Sequence, residues 1–366
     1  MIIKQILIYR YSIPMVPFTI ATGTMNYAQN VLIKIVTEEG IIGVGECSAF
    51  PMIAGETQDT CLVLAKDFAK LWKGKDPLDI PARMNELDLF IAGNNTIKSA
   101  FDMALYDIVS KQANLPLYQY LGGNYFEPES DLTIGIATVE KMAAQALEFV
   151  NQKQVSILKV KLGKSALEDV ERIKAIRQAV GKNIQIRIDA NQGWNFDEAV
   201  YALTRMQNFD IQFCEQPMPK YLDEFLPLLR RKTSIPVMAD ESVFTHHDAQ
   251  RLINQQACDY INIKLSKAGG IKGALSIHEV CAKENIPNML GGMLESRLAL
   301  SANVHLALAC SNIKFYDLDT CLLGHKLDPV INGVRFEGMK LQLPGLPGIG
   351  ADVDPGFLAG CEQFIV

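Results

Sequence analysis

The chain has 366 residues, of which 49% are hydrophobic and 21% charged, enough apolar material for a large buried core. A net charge of -6, with no basic run to offset it, excludes a general nucleic-acid-binding surface. No stretch of 18 uninterrupted apolar residues exists, and the N-terminal segment carries Lys4 and Arg10 where a leader would be apolar; the expectation is a cytoplasmic protein without a membrane partner.

In chain order, residues 2–13, 31–37 and 41–47 have strand character, and Glu39-Gly40 stands where a hairpin turn belongs. Helical periodicity follows over 56–73 and 95–113, stopping near Pro116 and Gly122. From about residue 131 the texture changes. Eight short apolar runs (131–137, 155–162, 184–190, 211–217, 235–241, 260–266, 286–292 and 314–319) recur about 24–29 residues apart, most of them separated by an amphipathic helix. That alternation implies parallel βαβ units, and eight of them imply a closed barrel. A Gly/Pro-rich tail follows from about 325. None of the eight cysteines forms a CxxC pair, so they are read as reduced and mostly buried thiols.

Charged residues recur at the ends of these runs. Lys159 and Lys161 close the second, Asp189 the third, Glu215 the fourth and Asp240 the fifth; Lys264 lies on the sixth, and Asp317 and Asp319 end the eighth. From Lys161 to Lys264 each step is 24 to 28 residues, one βα unit. Charge inside otherwise buried strands is costly, and the C-terminal mouth is where a barrel of this kind carries its active site. Three carboxylates on consecutive strands make a hard oxygen site suited to Mg²⁺, with Mn²⁺ the other candidate. Lys159 and Lys161, two apart, point to one face of their strand. A lysine beside other cations has its charged form disfavoured and becomes usable as a base, so depressed lysine pKa values are expected.

Lys-x-Lys, then Asp, Glu and Asp one strand apart, then Lys, resembles the enolase superfamily in its muconate-lactonizing-enzyme-like subgroup, over essentially the whole chain. The resemblance implies an α/β fold, a TIM-type (β/α)7β barrel over 126–324, with an α+β capping domain at 1–125 that includes a specificity loop at about 16–28. Residues 325–366 are expected to pack back on the cap. It further implies that Asp189, Glu215 and Asp240 bind one Mg²⁺ per subunit, that Lys161 and Lys264 are acid and base on opposite faces of the substrate, and that Lys159 helps to neutralise an enolate. Family members often form dimers or octamers, so a homo-oligomer is expected.

The pair Asp317 and Asp319 resembles the motif by which dipeptide epimerases hold a substrate α-ammonium group. The implied reaction inverts the C-terminal residue of an L,L-dipeptide. Epimerases acting on Ala-Glu carry an arginine in the loop between the first two strands. Here Gly23, followed by Thr24, stands at that place, which points to small or apolar dipeptides such as Ala-Ala. Glu295 near the seventh strand is a further candidate contact for lysine or substrate. The competing readings are N-acylamino-acid racemase, o-succinylbenzoate synthase or muconate cycloisomerase chemistry on the same site, and a non-catalytic binding protein on the same fold. Asp352 and Asp354 form a second Asp-x-Asp, read as a loop feature; His246 and His247 are read as exposed or capping. Gly269-Gly270 lacks the spacing of a phosphate loop.

Overall fold

The computed structural model describes residues 1–366. Its first layer is an antiparallel meander, β1 (Ile3–Ile20), β2 (Gly23–Thr37) and β3 (Ile42–Ala49). Gly40, at φ +87°, supplies the left-handed residue that the turn between β2 and β3 needs. Helices α1 (Pro51–Ala54), α2 (Gln58–Trp72), α3 (Ile80–Phe90), α4 (Asn95–Gln112) and α5 (Leu117–Tyr120) follow. The apolar faces of α2 and α4 close a core with the sheet around Phe68, Trp72 and Phe101, whose rings meet edge to face. Helix α3 lies outside the two helical stretches that periodicity marks, yet its start is written locally, since Asp79 accepts from the Ala82 N–H and Pro81 stands in the first turn.

The second layer is an eight-stranded parallel sheet: β4 (Leu132–Ile134), β5 (Ile157–Lys161), β6 (Gln185–Asp189), β7 (Ile211–Glu215), β8 (Val237–Ala239), β9 (Tyr260–Ile263), β10 (Asn288–Gly291) and β11 (Ile313–Asp317), each beside the next. Between them run α6 (Val139–Lys153), α7 (Ala166–Val180), α8 (Phe196–Met206), α9 (Leu226–Lys232), α10 (His246–Asn254), the short α11 (Leu265–Ala268) with α12 (Ile271–Lys283), and α13 (Arg297–Ala309). The Asp131 N–H donates to the Tyr316 carbonyl across the seam between first and last strands, 3.2 Å. This is the (β/α)7β barrel, and the eight apolar runs are its eight strands.

Short strands β12 (Val330–Asn332), β13 (Arg335–Glu337), β14 (Lys340–Gln342) and β15 (Ala351–Val353), helix α14 (Pro355–Leu358) and β16 (Glu362–Ile365) complete the chain. β16 pairs antiparallel with β1, Leu7 facing Ile365. Asp352 therefore lies in a strand, paired to Lys34 at 2.6 Å, and Asp354 caps α14. All eight cysteines are free thiols, six of them buried. No helix is long and apolar enough to cross a membrane.

Buried carboxylates of the first layer hold the barrel helices by their N-termini. Glu46 on β3 accepts from the Ser296 and Ala299 N–H groups and the Ser296 hydroxyl at the start of α13. Asp102 on α4 accepts from Ile271 and Lys272 at the start of α12. Those N–H groups have no partner within their own helices, and an anion there also meets the positive end of the helix dipole. Gly270 (φ +114°) is thus spent on a close approach: a side chain there would meet Asp102 Oδ2 at 2.2 Å.

Candidate active site

Two-residue alternation decides which barrel side chains face inward. Phe213, Tyr260 and Phe315 form an aromatic plug, with centroids 5.0–5.8 Å apart. Two residues beyond Phe213 and Phe315 along the same faces come Glu215 and Asp317. Arg187 spans the two levels, its guanidinium near the Phe213 and Phe315 rings at 5.4 and 5.3 Å and ion-paired with Asp131 at 2.8 Å. Register aligns Lys161 with Asp189 and Asp189 with Glu215. Asp240 and Lys264 each stand one residue past their strands.

These charges neutralise one another. Lys161 Nζ is 2.6 Å from Asp189 Oδ2; Lys264 Nζ is 2.8 Å from Asp240 Oδ2, and Lys267 Nζ 2.5 Å from Asp240 Oδ1. Lys159, fully buried, is 2.6 Å from Glu215 Oε2, 2.6 Å from Asp317 Oδ2 and 3.4 Å from Asp189 Oδ2. Burial alone would raise the pKa of every acid here, and the lysines reverse that for three of them. Asp189 is held below its ordinary value by Lys161 and Lys159, Asp240 by Lys264 and Lys267, and Asp317 falls to about 2 beside Lys159. Where burial is joined by a neighbouring carboxylate the shift is upward. Glu215 beside Asp189 reaches about 7, Glu241 beside Asp240 about 8, and Asp319 beside Asp317 about 7.

A cavity with about 50 Å³ of free space opens above this layer. Lys161, Lys264, Asp317 and Asp319 line it together with Asn191 and Thr133. Lys161 ends the second barrel strand and Lys264 follows the sixth, four strands apart in a ring of eight, so they enter from opposite walls. The roof is apolar: Phe18, Ile20 and Met25 from the β1–β2 tip, then Phe50 and Ile53. No arginine is among the lining residues.

Five expectations change here. Lys159 does not line the cavity; three carboxylates hold it beneath the floor. Gly23 and Thr24 do not line it either. Residues 16–28 form the tip of a hairpin, not a loop, and strand alternation turns Met25 and Ile20 inward while Thr24 bonds across the tip to Thr19, 2.8 Å between hydroxyls. Gly23 instead faces the Met52 sulfur. Glu295 is buried, but its carboxylate accepts from the Met293 N–H at 2.6 Å and contacts no lysine; burial raises its pKa to about 7. The expected lowering of the lysine pKa values is reversed for Lys159 and Lys264. Burial opposes their charge, but the surrounding carboxylates outweigh it and hold both above the ordinary lysine value.

Other participants carried no signal in the sequence. Asn262 donates to Glu215 Oε1 at 2.7 Å and Asn191 to Glu241 Oε1 at 3.3 Å. Lys267 donates to the Asp240, Val243 and Asn262 carbonyls from beneath Asp240. Asp131, immediately before the first barrel strand, joins Asp317 and Asp319 in a group whose carboxylate oxygens lie within 4.8 Å of one another.

Two carboxylate sets could therefore meet a divalent cation. Asp131, Asp317 and Asp319 are the more tightly grouped; like the other set they are paired with cations, here Arg187 and Lys159, Asp319 accepts from the Thr133 N–H at 2.7 Å, and one oxygen of the group, Asp131 Oδ1, is buried without a partner. In the Asp189, Glu215 and Asp240 set, Glu215 Oε2 and both Asp240 oxygens are buried without a hydrogen bond of good geometry, although lysine ammonium groups lie close. Oxygen-only donors with unsatisfied lone pairs fit a hard cation such as Mg²⁺.

An eight-stranded barrel under an antiparallel cap, with lysines on opposite walls above a floor of carboxylates, defines the enolase-superfamily class of protein. The chain belongs to the mandelate racemase/muconate lactonizing enzyme family: the model of that family's N-terminal domain matches residues 3–122, and that of the enolase C-terminal domain-like family matches 141–357. It is similar to the D-Ala-D/L-Ala epimerase of Cytophaga hutchinsonii, 42% identical over 100% of both chains, and to the L-Ala-D/L-Glu epimerase of Clostridium acetobutylicum, 37% identical over 96% of this chain and 99% of that one. Among solved structures, the dipeptide epimerase of Cytophaga hutchinsonii complexed with Mg and D-Ala-L-Val superposes with a TM-score of 0.98 at 41% identity, covering 100% of both chains.

Proposed function

We propose that this protein is an isomerase, a dipeptide epimerase that inverts the α-carbon of the C-terminal residue of a dipeptide by moving one proton off and another on. The observation that carries this reading is that Lys161 and Lys264 enter one cavity from opposite walls with Asp317 and Asp319 beside them. One lysine removes the α-proton from its face; the ammonium of the other returns a proton to the opposite face, and the roles exchange in the reverse direction. Asp317 and Asp319 hold the free α-ammonium group and so orient the peptide. That requirement disfavours N-acylamino-acid racemase, o-succinylbenzoate synthase and muconate cycloisomerase chemistry, whose substrates present no such amine.

Asp189, Glu215 and Asp240 would hold the Mg²⁺, with Mn²⁺ as the substitute expected from the same donors. Bound there, the cation supplies positive charge where the substrate carboxylate gains its second negative charge on loss of the α-proton. It would also offset the carboxylates that now hold Lys264 in its charged form. Lys159 serves from below, keeping Asp189, Glu215 and Asp317 in place. In this reading residues 1–125 form the cap that roofs the site, 126–324 the catalytic barrel, and 325–366 the segment that ties the two.

The preference is for small or apolar dipeptides such as Ala-Ala over Ala-Glu. The roof of Phe18, Ile20, Met25, Phe50 and Ile53 supports it, since it offers an acidic side chain no cation. Proton NMR in D₂O with Mg²⁺ and a dipeptide mixture tests the whole reading. Exchange and inversion at the C-terminal α-carbon of Ala-Ala are expected. Absence of exchange in every dipeptide would remove the assignment, and faster turnover of Ala-Glu would remove the preference alone.

A further inference from the structure

The two lysines of the cavity are held in different ways. Lys161 is the last residue of β5 and is registered with Asp189 in the strand ladder, which the Leu162 N–H continues by donating to the Asp189 carbonyl at 2.8 Å. Lys264 stands one residue beyond the pair Ile263 and Leu290 that ends the ladder between β9 and β10. Its backbone is carried by α11 instead, where the Lys264 carbonyl accepts from the Lys267 and Ala268 N–H groups at 3.0 and 2.9 Å. A single helical turn is not stable by itself, so the place of α11 depends on what grips it. From the barrel, the Lys267 ammonium donates to the Val243 and Asn262 carbonyls at 3.0 and 3.2 Å. From the cap, Asn95 Nδ2 donates to the Lys267 carbonyl at 2.7 Å. Asn95 opens α4, and Glu56 fixes that helix start by accepting from the Thr96 N–H at 2.9 Å. Asp102, two turns further along the same face of α4, receives the Ile271 and Lys272 N–H groups. One cap helix therefore grips α11 and the start of α12 together, and Lys264 leads into that unit.

We propose that Asn95 is a positioning residue for Lys264: by holding α11 it sets where that lysine's ammonium group enters the cavity, so the Lys264 face of the site depends on the docking of the cap while the Lys161 face is set by the strand ladder. The inference rests on the epimerase reading. Without the Asn95 amide, the Lys267 carbonyl loses its side-chain donor and the cap loses its hold on α11. The turn is then fixed from the barrel side alone. A shift of about 1 Å at a reacting group costs on the order of 10²-fold in rate. Lys161 and Lys264 stand on opposite faces of the substrate, so each removes the α-proton of one epimer. A disturbance confined to Lys264 therefore slows one epimer and spares the other. General loosening of the fold has no such asymmetry.

The experiment measures initial α-proton washout in D₂O, separately from L-Ala-L-Ala and from L-Ala-D-Ala, with Mg²⁺ present. It uses the wild-type enzyme, Asn95→Leu and Asn95→Asp, both of which remove the donor at similar volume. Lys264→Ala assigns the epimers, since Lys161 still washes out the proton on its own face. Both Asn95 variants are expected to slow washout from the Lys264 epimer by about tenfold, with the Lys161 epimer within about twofold of wild type. The ratio of the two rates is insensitive to partial loss of folded enzyme, and two chemically different replacements guard against one poorly folded variant. Glu46→Gln weakens the cap's hold on α13 instead, and it should leave the ratio where it was. An unmoved ratio in the Asn95 variants, whether both rates fall together or neither does, overturns the positioning role and leaves the epimerase reading intact. An equal shift of the ratio in Glu46→Gln does the same. No washout from either epimer by the wild-type enzyme overturns both.

Discussion

Lys159 Nζ lies 2.6 Å from Asp317 Oδ2, a contact that joins the second barrel strand to the eighth beneath the cavity floor. The same ammonium is 2.6 Å from Glu215 Oε2, so one buried cation links the carboxylates proposed to hold the substrate amine to those proposed to hold the metal. Neither group can shift without altering the charge balance of the other. Replacing Lys159 by Met removes the cation at similar volume and leaves buried carboxylates uncompensated. Lys159→Met is expected to lose about 3–5 kcal/mol of stability in denaturant titrations, part of it recovered when Mg²⁺ is added. A stability within about 1 kcal/mol of wild type would contradict the electrostatic account.

Lys161→Ala and Lys264→Ala each remove one proton carrier without touching the other wall. Each is expected to lower kcat for Ala-Ala inversion by about 10²–10⁴-fold, read by loss of the α-proton signal in D₂O. Retention of more than a tenth of wild-type kcat in either variant would take that lysine out of the reaction.

Chelation should abolish turnover, and Mg²⁺ or Mn²⁺ should restore it. The binding equilibrium carries a second readout that needs no substrate. At a concentration 100 times its dissociation constant the cation adds about 2.7 kcal/mol to folded-state stability, so the melting temperature should rise with Mg²⁺. The rise should vanish in Asp240→Asn. If it persists in Asp240→Asn and disappears in Asp131→Asn, the cation belongs to the Asp131, Asp317 and Asp319 group instead.

His305 offers a pH-dependent stability away from the site. It is buried on α13, its Nδ1 accepting from the Tyr118 N–H at 3.1 Å, which leaves the proton on Nε2 for donation to the Ile349 carbonyl at 3.1 Å. Burial pushes its pKa down to about 4 from 6.5. An unfolded chain takes up a proton as pH falls through 6.5, but the folded ring stays neutral until about 4. Stability from this group is complete above 6.5 and is lost between 6.5 and 4. Between pH 7 and 5 wild type should lose about 2 kcal/mol relative to His305→Asn. Equal slopes of stability against pH in the two proteins would refute it.

Glu46 tests how cap and barrel are joined. Its carboxylate serves two N–H groups and a hydroxyl at the start of α13, and Asn30 donates to it at 2.5 Å. Glu46→Ala is expected to cost about 2–4 kcal/mol, because several buried donors lose their acceptor together. Hydrogen exchange should quicken first at Ser296 and Ala299. Exchange unchanged there would mean that other contacts hold the helix.

The architecture was legible in the order of residues because its signals are local. A strand of this barrel is a short apolar run, its helix an amphipathic repeat, and the period between them brings Lys161, Asp189, Glu215, Asp240 and Lys264 to successive strand ends without further information. The turn at Gly40 and the start of α3 at Asp79 are equally local. An apolar substrate preference is expected from Gly23, yet the tip side chains that line the cavity include Ile20 and Met25 and not Gly23. Only the pairing of β1 with β2 decides which side chains of the tip face the cavity.

Sequence alone thus determined the fold class, the positions of the charges around the barrel and the family to which they belong, since periodicity of two and of one βα unit is written into neighbouring residues. Tertiary structure decided which charge answers which: Lys159 beneath the floor with Asp317, Asp131 with Arg187, Glu46 and Asp102 on helices of the other layer, and β16 beside β1. These contacts close over tens to hundreds of residues. Their energy depends on burial and on distances of a few ångströms, and no local pattern of residues encodes either.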